Sequence, residues 1–136
     1  MPWEPGPGAG FTTGQPWLPL GADADTKNVA RLREDPGSIL ALYRRLLALR
    51  RTTPALVEGS WAVVPSPDGV LAYRRSHERG AWLIALNLTA APHGVASPAE
   101  ASGGRVCLST HLDRADEAVG KTIALRPDEG LVIACR

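Results

Sequence analysis

Beyond residue 60 the chain falls into seven short runs rich in β-branched or aromatic residues, at 61–64, 70–75, 82–88, 95–97, 105–109, 122–125 and 131–135. Each is shorter than an ordinary helix, and turn chemistry follows each one. The separators include Pro67-Asp68-Gly69, Glu78-Arg79-Gly80, Ser102-Gly103-Gly104 and Pro127-Asp128-Glu129-Gly130. Strands at this spacing, with no helical run between them, predict a mainly β fold over residues 60–136. The expected form is an antiparallel β-sandwich of about seven or eight strands, Greek-key in type. Asp68-Gly69 and Arg79-Gly80 are the strongest hairpin signals. The polar stretch 113–120 reads as a loop or a single helical turn.

One helix is expected ahead of these strands, over residues 36–53. Ile39, Leu42, Tyr43, Leu46 and Leu47 follow the i, i+3, i+4, i+7, i+8 spacing of an amphipathic stripe. Asp35 before Pro36 reads as an N-cap followed by proline at the first helical position. Arg44, Arg45, Arg50 and Arg51 crowd the C-terminal half, where positive charge suits the helix dipole. Residues 1–35 show neither period and are rich in proline and glycine, yet Trp3, Phe11, Trp17, Leu18 and Leu20 are too apolar for a disordered tail. They read as an irregular loop that packs against something.

Composition removes several function classes. Fifteen Lys or Arg against fourteen Asp or Glu leave a formal net charge of +1 in 136 residues. That is no footprint for nucleic acid or an anionic membrane. No apolar run approaches the roughly 18 residues that a spanning helix requires. The first residues lack the basic and apolar regions of a secretory signal, so a cytoplasmic location is expected. Cys107 and Cys135 alone make neither a disulfide scaffold nor a zinc site.

Several motifs occur together and in order: Met1-Pro2-Trp3-Glu4-Pro5, Ala9-Gly10-Phe11-Thr12-Thr13-Gly14-Gln15-Pro16-Trp17-Leu18-Pro19, Asn28-Val29-Ala30, and the run from Asp35 to Arg51. In this order the chain resembles the C-terminal part of the glycoside hydrolase family 13 α-glucosidases, the oligo-1,6-glucosidase and maltase-like group of the α-amylase family. Val70-Leu71-Ala72-Tyr73-Arg74-Arg75 and Leu83-Ile84-Ala85-Leu86-Asn87-Leu88 resemble strands of that family's C-terminal β domain. The resemblance implies that residues 1–35 are the loop after the eighth barrel strand and 36–53 the last barrel helix. Residues 60–136 are then the C-terminal domain.

The same resemblance implies a piece of a retaining enzyme of carbohydrate metabolism. Such chemistry needs two carboxyls about 5–5.5 Å apart, one attacking and one protonating the leaving oxygen. In the family these stand at barrel strand ends, which would precede Met1. The implied partner is therefore the missing (β/α)8 barrel, and an α-glucosidic oligosaccharide is met through it. The chain is expected to be inactive alone, with an accessory role, no catalytic residue, no metal and no cofactor. The chain begins inside a motif, as a truncated frame, a mis-called start or an expressed fragment would.

Individual residues carry competing readings. Trp3, Glu4 and Phe11 are candidates for the substrate rim, because loops after barrel strands build the active-site face. The favoured reading of Trp3, Phe11 and Trp17 is as apolar anchors of the glycine-rich loop onto barrel helices. Asp23 and Asp25 read as solvated loop charges rather than a calcium site, which needs more ligands. His77, His93 and His111 are dispersed, and the default for each is a turn or surface position. Arg114-Ala115-Asp116 imitates the arginine and aspartate around the family nucleophile, but in a polar connection between late strands, and is expected to be coincidental. Asn87-Leu88-Thr89 fits a glycosylation triplet at a strand end. Cys107 and Cys135 are expected as buried free thiols, bridged only if their strands are neighbours and the compartment is oxidising.

Two other functions fit the same residues. One is a free-standing carbohydrate-binding module using Trp61 or Trp82, although alternation along the strands turns at least one of them toward the core. The other is a subunit that completes a separately encoded barrel. Burial of the helix stripe decides much here, since four or five large side chains without cover would each forgo about 1.5–3 kcal/mol.

Overall fold

A computed structural model describes residues 1–136, which divide into two compact units, Met1–Arg44 and Arg45–Arg136. The division falls inside a helix.

The first unit is not structureless. It holds a 3-10 turn at Pro7–Gly10, a six-residue helix α1 (Val29–Glu34) and the start of α2 (Ile39–Thr52). The open N–H groups at the start of α1 explain how the loop is held. Val29 donates to the carbonyl of Pro2 at 3.1 Å and Ala30 to that of Trp3 at 2.8 Å. Asn28 caps the same end, its Oδ1 accepting the Arg31 N–H at 3.0 Å while its amide donates to Ala24 and Asp25 carbonyls. A helix end with no partners would be costly, so the chain start folds back to supply them. The loop therefore packs against itself, although only Ala9, Ala24 and Val29 are buried apolar residues in it.

Helix α2 begins later than the Asp35-Pro36 reading places it. Asp35 is extended, with ψ of 109°, as a residue before proline prefers. Its Oδ1 accepts the Gly37 N–H at 2.8 Å, making a turn instead of a cap. Ser38 is the cap: its Oγ accepts the Ala41 N–H at 3.2 Å and donates to the Leu32 carbonyl at 2.6 Å. After Thr52 a single further turn, α3 (Pro54–Val57), opens on proline.

The second unit is the antiparallel sandwich. Strands β1 (Ser60–Val64), β2 (Val70–His77), β3 (Gly80–Asn87), β5 (Arg105–Ser109) and β7 (Gly130–Ala134) form one sheet in the order β1-β2-β3-β7-β5. β4 (His93–Ala96) pairs with β6 (Thr122–Leu125) in a second sheet. Both expected hairpin signals fall between consecutive antiparallel strands, β1 to β2 and β2 to β3. Ala72, Leu83, Ala85, Val106, Leu131 and Ile133 face the core from the larger sheet, and Val95, Ile123 and Leu125 from the smaller. Their period of two is what places them there. No helix is long and apolar enough to cross a membrane.

Where β5 starts, the backbones approach closely. A Cβ on Gly104 would sit 2.3 Å from the Ala134 carbonyl oxygen. Gly104→Ala is therefore expected to push β5 off β7 and cost about 1–3 kcal/mol. Urea denaturation checks it, and an unchanged midpoint would refute the close approach.

Candidate functional site

The three rim candidates lie in the first unit. Glu4 and Phe11 line one open depression together with Pro5, Pro7 and Thr12. Trp3 is not part of that wall. Its backbone is committed, the N–H donating to the Ala9 carbonyl at 2.8 Å and the carbonyl accepting from Ala30. Trp3 and Phe11 nevertheless expose about half of their surface, 50% and 54%, and Trp17 is almost fully exposed. Glu4 closes over Gly10, which takes a left-handed φ of +66° that a side chain would make costly. Asp25 serves the loop itself, its Oδ1 accepting the Gly6 N–H at 2.8 Å. Asp23 is paired with Lys27 at 3.0 Å. The lysine's hydrogen bond and charge hold that carboxyl below its usual range. One free carboxylate in a depression is half of what retaining hydrolysis needs.

The second unit contains a denser ionic cluster, and it is structural. Glu129, 1% exposed, precedes β7. Its Oε2 accepts from Arg114 Nη1 at 2.9 Å and from the Arg126 backbone N–H at 2.9 Å. Its Oε1 accepts from Arg126 Nη2 at 2.6 Å and Ser109 Oγ at 2.8 Å. Arg114 also grips both oxygens of Glu117 at 2.7 Å, and Arg126 both oxygens of Asp113 at 2.7 Å. Burial pushes the Glu129 carboxyl up, but the Arg126 and Ser109 hydrogen bonds and the Arg114 charge outweigh it and hold it at about 2. A carboxylate so satisfied neither donates a proton near neutral pH nor attacks a substrate.

Arg114 of the nucleophile look-alike thus ties β6, the 113–117 loop and the turn before β7 together. Asp116 takes a left-handed φ of 62°, and its N–H pairs with the Val106 carbonyl. Asn87 is buried, its amide donating to Ala91 and Arg126 carbonyls. Cys107 stands where β5 shifts register against β7, beside α2, while Cys135 packs on the core. Cys135 follows β7, the neighbour of β5; both thiols are free but half-buried instead of fully buried as expected, and burial pushes both up. His93 meets Thr89, and His77 lies near Glu58 at 3.6 Å.

What each unit leaves bare is more telling. None of the fourteen residues of α2 is buried. Leu49 and Ala48 turn toward Leu108 and Leu112 across an apolar groove. Ile39, Tyr43, Leu46 and Leu47 expose 57%, 58%, 38% and 49%. Val57, Trp61 and Val63 are also more than half or about half exposed. Strand alternation was expected to turn Trp61 or Trp82 inward, and neither does so. The register Trp61↔Arg75↔Trp82 sets both in one cross-strand row, on the face away from Ala72, Leu83 and Ala85. Trp61 meets Tyr73 at 6.1 Å between ring centroids, tilted by 35°.

Comparison with known proteins adds a consistent picture. The family model described as "Alpha amylase, catalytic domain" matches residues 1–59. Over 133 residues the chain is 29% identical to the oligo-1,6-glucosidase of Bacillus cereus, covering 97% of this chain and 24% of that protein. A probable α-glucosidase of Rhizobium meliloti (strain 1021) is 40% identical over 77 residues, 57% of this chain and 14% of the other. Among solved structures, the trehalulose synthase MutB of Pseudomonas mesoacidophila MX-45 superposes with a TM-score of 0.89 at 30% identity, covering 99% of this chain and 24% of that one. The chain therefore spans about a quarter or less of the length of these relatives.

Proposed function

We propose a role that proceeds from one premise: this chain belongs to the C-terminal part of the glycoside hydrolase family 13 α-glucosidases. Its role is to complete a (β/α)8 barrel with a final loop and helix and to add the β-sandwich that follows. The whole enzyme would cleave α-glucosidic bonds of oligosaccharides with carboxylates carried by the barrel. Residues 1–35 form the loop after the last barrel strand, α2 is the last barrel helix, and residues 60–136 are the C-terminal domain.

The observation that carries this reading is the uncovered stripe of α2. A fourteen-residue helix with Ile39, Tyr43, Leu46 and Leu47 in water forgoes several kcal/mol of burial, which a barrel wall would return. The exposed Trp3, Phe11 and Trp17 fit the same account, since loops after barrel strands border the active-site face. Of the rim candidates, Glu4 and Phe11 share the depression and so are the pair that would meet substrate.

Two measurements test the reading. Purified chain is expected to leave 4-nitrophenyl α-glucoside untouched. A chimera in which it replaces the matching C-terminal quarter of the Bacillus cereus oligo-1,6-glucosidase is expected to release 4-nitrophenol. Turnover by the chain alone, abolished by one substitution within it, would refute the proposal, and so would a folded but inactive chimera. Restoration of activity by adding the chain in trans to the remaining three quarters would identify a separate subunit.

A further inference from the structure

The two edges of the five-stranded sheet are treated differently. At one end β5 is covered. Val106 donates to the Glu117 carbonyl at 2.9 Å and accepts from the Asp116 N–H at 2.8 Å, so the loop before β6 takes up its open backbone groups. At the other end β1 pairs with β2 alone. Ser60, Trp61, Ala62 and Val63 are all exposed, and Trp61 and Val63, two apart on one face, are 57% and 62% open. Such an edge is a template for a further strand. The usual protections are missing from β1, which has no proline, no charge and an unbroken register against β2. Residues 59–67 include no Asp, Glu, Lys, Arg or His. The arginines beside β1 are engaged elsewhere. Arg74 pairs with Glu100 at 2.9 Å, and Arg75 donates to the Ala55 and Val57 carbonyls of α3.

We propose that β1 is a pairing edge for a second copy of this chain, the two β1 strands running antiparallel across a two-fold axis normal to the sheet. The inference goes beyond the α-glucosidase reading and does not rest on it. Three observations select a second copy as occupant. The edge is complementary to itself: antiparallel pairing centred on Ala62 sets Trp61 of each copy opposite Val63 of the other, an aromatic and β-branched pair made twice on one face. An uncharged strand meets no like charge in its own copy. The rival surface, α2, carries four arginines and no acid, which would face one another in a symmetric pair. Pairing through β1 also continues an existing sheet, joining two five-stranded sheets edge to edge. One short strand with two large apolar side chains buries less than the about 1,200–2,000 Å² of a standard interface, so the dimer is a weak one, with a Kd of about 10–100 µM.

Sedimentation velocity of the purified full chain, from about 1 µM to about 300 µM, tests the pairing. The average mass is expected to rise from monomer toward dimer across that range. Val63→Lys, a charge placed on the pairing line at an exposed position, is expected to weaken association about tenfold or more and to leave the melting temperature of the dilute chain unchanged. Leu47→Lys on α2 and Leu88→Lys, at two other exposed positions, are expected to leave the association as it is. Amide exchange in the unsubstituted chain gives a readout that requires no variant: amides of β1 that point away from β2 should exchange more slowly as concentration rises, and those of the exposed loop at 12–18 should not. A chain that stays monomeric over the whole range would overturn the proposal. So would association that survives Val63→Lys, or exchange in β1 that ignores concentration while the chain associates. Association abolished by Leu47→Lys and kept by Val63→Lys would overturn it and move the contact to α2.

Discussion

Glu129→Ala is expected to cost the sandwich unit about 3–5 kcal/mol, the usual penalty for removing one partner of a buried ion pair. The carboxylate is fully enclosed, and two guanidinium groups, a serine hydroxyl and a backbone N–H converge on it. Removing it leaves those donors facing one another around a void. Arg114 and Arg126 keep Glu117 and Asp113 at their exposed ends, which limits the loss without restoring the interior. Glu117→Gln is the control, because a half-exposed partner is worth about 0–1 kcal/mol. Urea midpoints of the two variants decide the matter. Equal shifts would show that the enclosed carboxylate contributes no more than a surface pair.

The same group gives the unit a pH signature. Its folded pKa, about 2, lies below the ordinary 4.5. The unfolded state therefore binds the proton more readily, and the linked stability is fully present above pH 4.5. It is lost progressively as pH falls from there toward 2. Asp113 is held at about 2 chiefly by its hydrogen bonds from Arg126, so it titrates in the same window and the same direction. Thermal melts between pH 6 and pH 2 should show a steep decline that Glu129→Gln flattens.

How much of this was legible in the residues depends on the range of the interaction. Strands β1 to β7 were, because period two and turn residues are local, and 105–109 and 122–125 are found as read. Helix α1 was not: Val29–Glu34 carries too few apolar residues for a period, and it is held by carbonyls from residues 2 and 3. The start of α2 was misplaced because the preference of Asp35 for extended backbone before proline beats its capping ability. Glu129 reads as a turn residue, since nothing local shows that arginines 3 and 15 positions away will enclose it. The apolar stripe of α2 was visible as a face that needs cover. Periodicity reports that need and does not report what meets it, which is why the bareness of Leu46, Leu47 and Trp61 emerges only from the structure.

Trypsin is expected to cut the isolated chain at Lys27, Arg31 and Arg33 about a hundredfold faster than at Arg105 or Arg126, a gap of about 3 kcal/mol in opening free energy. The buried apolar side chains of the first unit are Ala9, Ala24 and Val29, small groups that contribute little. The second unit buries Leu83, Val95, Val106, Leu125, Leu131 and Ile133, each worth about 1.5–3 kcal/mol. Backbone hydrogen bonds such as Ala30 to Trp3 hold the first unit in shape, but both residues are exposed and their amide groups exchange partners with water at little cost. Shape without a core means frequent opening. Mass spectrometry of a digestion time course reads the order of cleavage directly, and equal rates in both units would refute the asymmetry. In the chimera the same three bonds should become resistant, because a barrel wall over α2 and the loop would supply the missing core. Protection that fails to appear in an active chimera would mean that the first unit is held by something other than apolar cover.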